Sequence, residues 1–157
     1  MDDTTTLAEA RAALNEDWEK GTECPCCHQR VELYPRRIYA TSAIGIINLY
    51  HLTQEQPDVE YFHIKVIERH RKSGGGDFAK LATWGLVEEQ FNDDTKKRTS
   101  GYWRITPKGE SYVRGELRIP KIARIYNKRL FRFEGEQVGI RDALGKNFDY
   151  AELMDNG

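Results

Sequence analysis

At 157 residues, with 39% hydrophobic and 31% charged side chains, the chain is long enough for one domain with a real core, or for a small domain with appended arms. No apolar run approaches the ~18 residues of a membrane helix, and the acidic start Met1-Asp2-Asp3-Thr4 is unlike a signal peptide, so a cytoplasmic protein with no membrane partner is expected. The formal net charge is only −1, but residues 1–60 hold 5 Lys/Arg against 11 Asp/Glu (−6), residues 61–132 hold 17 against 8 (+9), and residues 133–157 hold 2 against 6 (−4). A basic centre between acidic arms is the asymmetry that a phosphate-binding face requires, although the same cations could simply solvate helix faces.

Residues 5–20 read as a helix, with Leu7, Ala10, Leu14 and Trp18 recurring at three- and four-residue steps and Gly21 as the stop. Its apolar face could rest on the later domain or on a second copy of the chain, so a homodimer is one expectation. Cys24-Pro25-Cys26-Cys27-His28 follows as a compact turn. Cys24 and Cys27 have the C-x-x-C spacing with which two thiolates bind one tetrahedral zinc, but a closed site needs four ligands and there is no second pair. A turn held by packing and hydrogen bonds is the alternative, and no cofactor is required by the sequence. Three clustered cysteines make no disulfide framework and suit a reducing compartment.

Val31, Leu33 and Arg36-Arg37-Ile38 form an extended segment interrupted by Pro35. From Thr41 to Gln54 the chain is apolar nearly all round, as in a buried helix ended by Gln56-Pro57-Asp58. Tyr61–Lys72 is the next predicted helix, and Ser73-Gly74-Gly75-Gly76 turns it toward a third segment whose apolar positions are Phe78, Leu81 and Ala82. A core of Ile44, Ile47, Ile64, Ile67, Phe78, Leu81 and Leu86 follows from these spacings. Leu86-Val87 and Tyr102-Trp103-Arg104-Ile105 read as paired strands, and Thr106-Pro107 sets a capping hydroxyl before a proline in the first helical turn. Beyond Val113, Ile119–Tyr126 and Arg129–Phe133 read as strands joined at Asn127-Lys128, with a second turn at Glu134-Gly135-Glu136 and a short strand at Gln137–Ile140. Asp142–Met154 closes as a helix or an irregular arm.

The order from Ser73 to Val113, with WGLVEE at the turn and ITPKG at the helix start, resembles a winged helix-turn-helix, especially its MarR-like bacterial forms. CPCC, GDFAKL-x-x-WGL and TPKG together are also similar to small proteins of bacteriophages and prophages. The resemblance implies an α+β fold: a winged-helix core over 41–118, preceded by a helix and the CPCC turn over 1–40 and followed by a β-hairpin extension over 119–157. It also implies a small regulator that binds double-stranded DNA. Lys80 and Thr83 would read bases from the recognition helix; Lys96, Lys97 and Arg98 on the wing, with Arg69, Arg71, Lys72 and Arg104, would hold phosphates. The rival expectation keeps the scaffold as a protein-docking module that inhibits a host or competing nucleic-acid-processing defence complex, which the acidic arms favour. An enzyme is not expected: the sequence has no Walker loop, no G-x-G-x-x-G after a strand, and no Ser-His-Asp or Cys-His arrangement in a recognisable turn.

Overall fold

The computed structural model describes residues 3–70, 77–94, 96, 97 and 99–155. The fold is α+β with antiparallel sheets, and the chain divides into two compact units, residues 1–36 with 122–134 and residues 37–121 with 135–157. No helix among the described residues is long and apolar enough to cross a membrane.

In the first unit, α1 (Leu7–Asp17) begins on a reciprocal cap: Thr6 Oγ1 accepts the Glu9 amide at 3.2 Å, and the Glu9 carboxylate accepts the Thr6 amide at 3.3 Å. The expected apolar stripe is only partly covered: Ala10 is buried, Leu14 and Trp18 are half-buried, and Leu7 is 57% exposed. Trp18, just past the helix, meets Tyr126 and Phe131 edge-on at 5.3 and 5.1 Å. Strands β1 (Thr22–Glu23) and β2 (Arg30–Val31) flank the cysteine turn, and β3 (Tyr34–Arg36) pairs with β7 (Ile119–Tyr126), Tyr34 opposite Ile125. Pro35 is tolerated because β3 is an edge strand. The turn from β7 into β8 (Arg129–Val138) is Asn127-Lys128, both left-handed with φ of 49° and 64°, a geometry that matches the twist of a two-residue hairpin.

The second unit is built round α2 (Ala40–Glu55), buried from Ser42 to Leu49 without a break. Such a helix needs cover on every side. It gets it from α3 (Ile64–His70), α4 (Pro107–Val113), α5 (Ile140–Leu144), α6 (Tyr150–Asp155), β6 (Tyr102–Ile105) and a 3-10 helix, Phe78–Trp84. Two polar side chains of α2 fix its neighbours: Asn48 Nδ2 donates to the Ile67 carbonyl at 2.9 Å, and His51 Nε2 to the Leu153 carbonyl at 2.8 Å. Six of the seven expected core residues are buried, while Ile64 is half-buried. The start of α4 is as expected: Thr106 Oγ1 accepts the Gly109 amide at 3.0 Å, with Pro107 next.

Three expectations are corrected. Residues 62 and 63 are not helical but form β4 (Phe62–His63), which pairs with β6, Phe62 opposite Trp103, so the sheet has three strands in the order β4-β6-β5, β5 being Val87–Glu89. There is no turn at Glu134-Gly135-Glu136; β8 runs through it, with Gly135 absorbing a left-handed kink at φ 85°. The expected recognition helix is a 3-10 helix of seven residues.

Candidate nucleic-acid interface and cysteine turn

A 3-10 helix has three residues per turn, so side chains at i, i+3 and i+6 line one edge. Phe78, Leu81 and Trp84 occupy the buried edge, Phe78 meeting Trp103 edge-on at 5.6 Å and Trp84 Nε1 donating to the Pro120 carbonyl at 2.9 Å. Lys80 and Thr83 share a half-buried edge with Asp77, and the exposed edge is Ala79, Ala82 and Gly85, so Ala82 does not join the apolar face as expected because the period is three rather than 3.6. Lys80 Nζ is 2.8 Å from the Asp77 carboxylate. Asp77 thus binds this cation instead of capping the helix, and the outward edge carries no long polar side chain to read a base.

Beyond the 3-10 helix, β5 and β6 form a hairpin with Val87 opposite Ile105 and Glu89 opposite Trp103. The loop between them is braced at its base by Glu89, whose carboxylate accepts the Thr99 hydroxyl and the Ser100 amide. Nearer its tip, Asn92 Nδ2 donates to the Lys97 carbonyl at 3.0 Å, and the Asp94 carboxylate accepts the Lys96 amide at 3.0 Å. The backbone at Lys96 and Lys97 is therefore fixed while both side chains are exposed. Phe91, on the same loop, is 86% exposed. It carries no periodic signal, so sequence reasoning passed over it.

Arg104 faces the other way in function. Its guanidinium donates to the Glu88 carboxylate at 2.9 and 3.0 Å and to Glu60 at 3.1 Å, and it lies 5.0 Å over the Tyr61 ring. Glu88 first, then Tyr61 and Glu60, raise its already high pKa, so Arg104 reaches a phosphate only by leaving two carboxylates. Arg69 is exposed on α3, as is Lys65, and neither has an ion pair among the described residues. Arg71, Lys72 and Arg98, with the glycine turn, lie outside the described residues. The arrangement thus offers cations from α3 and from the loop tip, and few groups suited to base edges.

Comparison with protein-family models, curated proteins and solved structures finds no match.

The cysteine turn is a tight loop closed by β1 and β2, with the His28 amide donating to the Cys24 carbonyl at 2.9 Å and the Cys24 amide to the Gln29 carbonyl at 2.8 Å. His28 adopts a left-handed φ of 63°, and its Nδ1 is 2.7 Å from the Glu23 carboxylate. The Cys24 thiol is held below its usual range, first by the Cys27 backbone N–H, then by that of Cys26, and also by a hydrogen bond with the Cys27 thiol. Cys24 and Cys27 thus come together as a thiolate-stabilising pair. No group of three or more His, Cys, Asp or Glu is arranged for a metal ion among the described residues. Zinc on Cys24 and Cys27 would need its remaining ligands from outside this set.

Proposed function

We propose that this chain is a winged-helix DNA-binding protein, a small regulator that holds duplex DNA mainly through its phosphates. The observation that carries the reading is the run α2, β4, α3, 3-10 helix, β5, loop and β6, in which β4 supplies the third strand of a wing sheet and Lys96 and Lys97 stand exposed on a braced tip. Arg69 and Lys65 on α3 supply a second set of cations. Phosphate contacts position a protein on DNA without specifying sequence. With Ala79 and Ala82 outermost and Lys80 bound to Asp77, sequence preference should be weak.

The exposed ring of Phe91 and the carboxylates of Glu60 and Glu88 round Arg104 favour a second reading, a docking surface for another protein on the same scaffold. Fluorescence anisotropy of a labelled random-sequence duplex over a salt series separates the two. DNA binding predicts affinity that falls linearly in log–log form as salt rises, at about 0.9 per phosphate neutralised. No binding at low salt transfers the scaffold to the docking reading.

A further inference from the structure

The first unit carries a pair of thiols that the DNA-binding reading does not use. The turn that presents them is closed at both ends by backbone hydrogen bonds, from His28 to the Cys24 carbonyl and from Cys24 to the Gln29 carbonyl. Inside it, the Cys24 sulfur accepts the backbone N–H groups of Cys27 and Cys26 and shares a hydrogen bond with the Cys27 thiol. Two sulfurs are thus held side by side, and the amides that point at one of them are the kind of outer contact that orients a thiolate ligand on a metal. Cys27 is exposed and Cys24 half-buried, so the pair can be reached from solvent.

Two thiolates are half of a tetrahedral zinc site. Within these 157 residues the third cysteine, Cys26, lies in the same turn, and there is no other. Neither Cys26 nor His28 joins Cys24 and Cys27 in a group arranged for a metal ion among the described residues, and His28 turns its Nδ1 to the Glu23 carboxylate at 2.7 Å instead. A second copy of the chain brings the same pair through a two-fold axis, which completes the set without any further residue. The surface round the turn suits that contact. Trp18, Tyr34 and Tyr126 border the same hollow as Cys24 and Cys27, and Tyr34 and Tyr126 are 49% and 40% exposed. A second copy laid over those rings removes apolar surface from water and shields a shared metal from it.

We propose that Cys24 and Cys27 of one chain, with the same two residues of a second copy, bind one zinc ion on a two-fold axis and so join the two chains. One Zn²⁺ takes the place of four thiol protons, two from each chain, which pass to the buffer; no electron moves. The excess negative charge of four thiolates on one Zn²⁺ is offset by the Cys26 and Cys27 amides of each copy. The proposal stands apart from the DNA-binding reading, because the cysteine turn belongs to the first unit and the β5–β6 hairpin to the second.

The test is the metal content and solution mass of the full chain, stripped with chelator and then titrated with zinc under reducing conditions. It is run on the parent, on Cys24→Ser/Cys27→Ser and on Cys26→Ser. Zinc should bind the parent at one ion per two chains, with the mass by analytical ultracentrifugation doubling as zinc is added and halving again with chelator. Cobalt in its place should give the visible bands of a tetrahedral four-thiolate site. Cys26→Ser should keep both metal and dimer, and Cys24→Ser/Cys27→Ser should lose both. The parent's stoichiometry decides the matter even where the double variant fails to fold. One zinc per chain on a monomer, no zinc bound, or a dimer that forms equally without zinc or in the double variant overturns the proposal.

Discussion

Gly109→Ala sets two physical effects against each other with opposite signs. In an open helix, alanine gains ~1 kcal/mol over glycine. Here a Cβ at position 109 would lie 2.0 Å from the Leu86 carbonyl oxygen and 2.8 Å from Ile105 Cγ1, where contacts under 3.0 Å force something to move. The first of these is backbone, and it is not at liberty: the Leu86 carbonyl accepts the Thr106 amide at 3.1 Å. Relief therefore requires α4 to shift by about 1 Å, from 2.0 toward 3.0 Å, at the turn where Thr106 Oγ1 accepts the Gly109 amide and donates to the Gly85 carbonyl at 2.6 Å. Overpacking costs ~1–3 kcal/mol and loss of a cap ~0.5–2 kcal/mol. After the helical gain is set against them, a net destabilisation of about 0.5–4 kcal/mol remains, or roughly 1–16 °C in Tm for a chain of this size. Thermal unfolding followed by far-UV circular dichroism measures it. A Gly109→Ala protein as stable as the parent, or more stable, would refute the close approach of α4 to the Leu86 backbone.

Leu81→Ala removes a fully buried side chain from the 3-10 helix and should cost ~2–5 kcal/mol in chemical unfolding, whereas Ala82→Ser, on the exposed edge, should cost under ~0.5 kcal/mol. Cys24, with its pKa lowered by amide donors, should be alkylated by iodoacetamide at a lower pH than Cys26; a lowered pKa means more thiolate at any given pH, so a Cys24 profile displaced upward would contradict the turn geometry. If zinc is bound at all, protein purified without chelator should carry it through Cys24 and Cys27, and Cys24→Ser/Cys27→Ser should lose it by elemental analysis. Phe91→Ala removes no charge, so duplex affinity and its salt slope should both stay as in the parent if contact is to phosphates alone; a clear loss of duplex affinity would contradict that reading.

Much of the second unit was legible. A helix apolar on every side can only be central, which marked α2, and Thr106-Pro107 fixed the start of α4 to the residue. Strand β4 was hidden because Phe62 and His63 lead straight into Ile64, Val66 and Ile67, whose helical spacing extends backward over them. The spacing of Phe78, Leu81 and Trp84 is three throughout, so the 3-10 period was present in the sequence; two apolar residues at i and i+3 fit either helix, and Trp84 decides between them. At Glu134-Gly135-Glu136 the turn-like composition misled, since Glu134 is held in the strand by Arg124 at 2.8 Å and Arg132 at 2.6 Å. Arg104 illustrates the limit for the site. Its two carboxylate partners lie 16 and 44 residues away, so a cation that counts as basic in the sequence is neutralised in the fold.

On the proposed reading, duplex DNA is held by cations on the loop tip and α3 rather than by base contacts from the 3-10 helix. The salt dependence of duplex affinity, compared between the parent and Lys96→Ala/Lys97→Ala, tests this directly. Loss of two phosphate contacts should lower the log–log slope by about 1.8 and weaken binding alike for every duplex sequence tried. An unchanged slope and affinity in the double variant would contradict the claim.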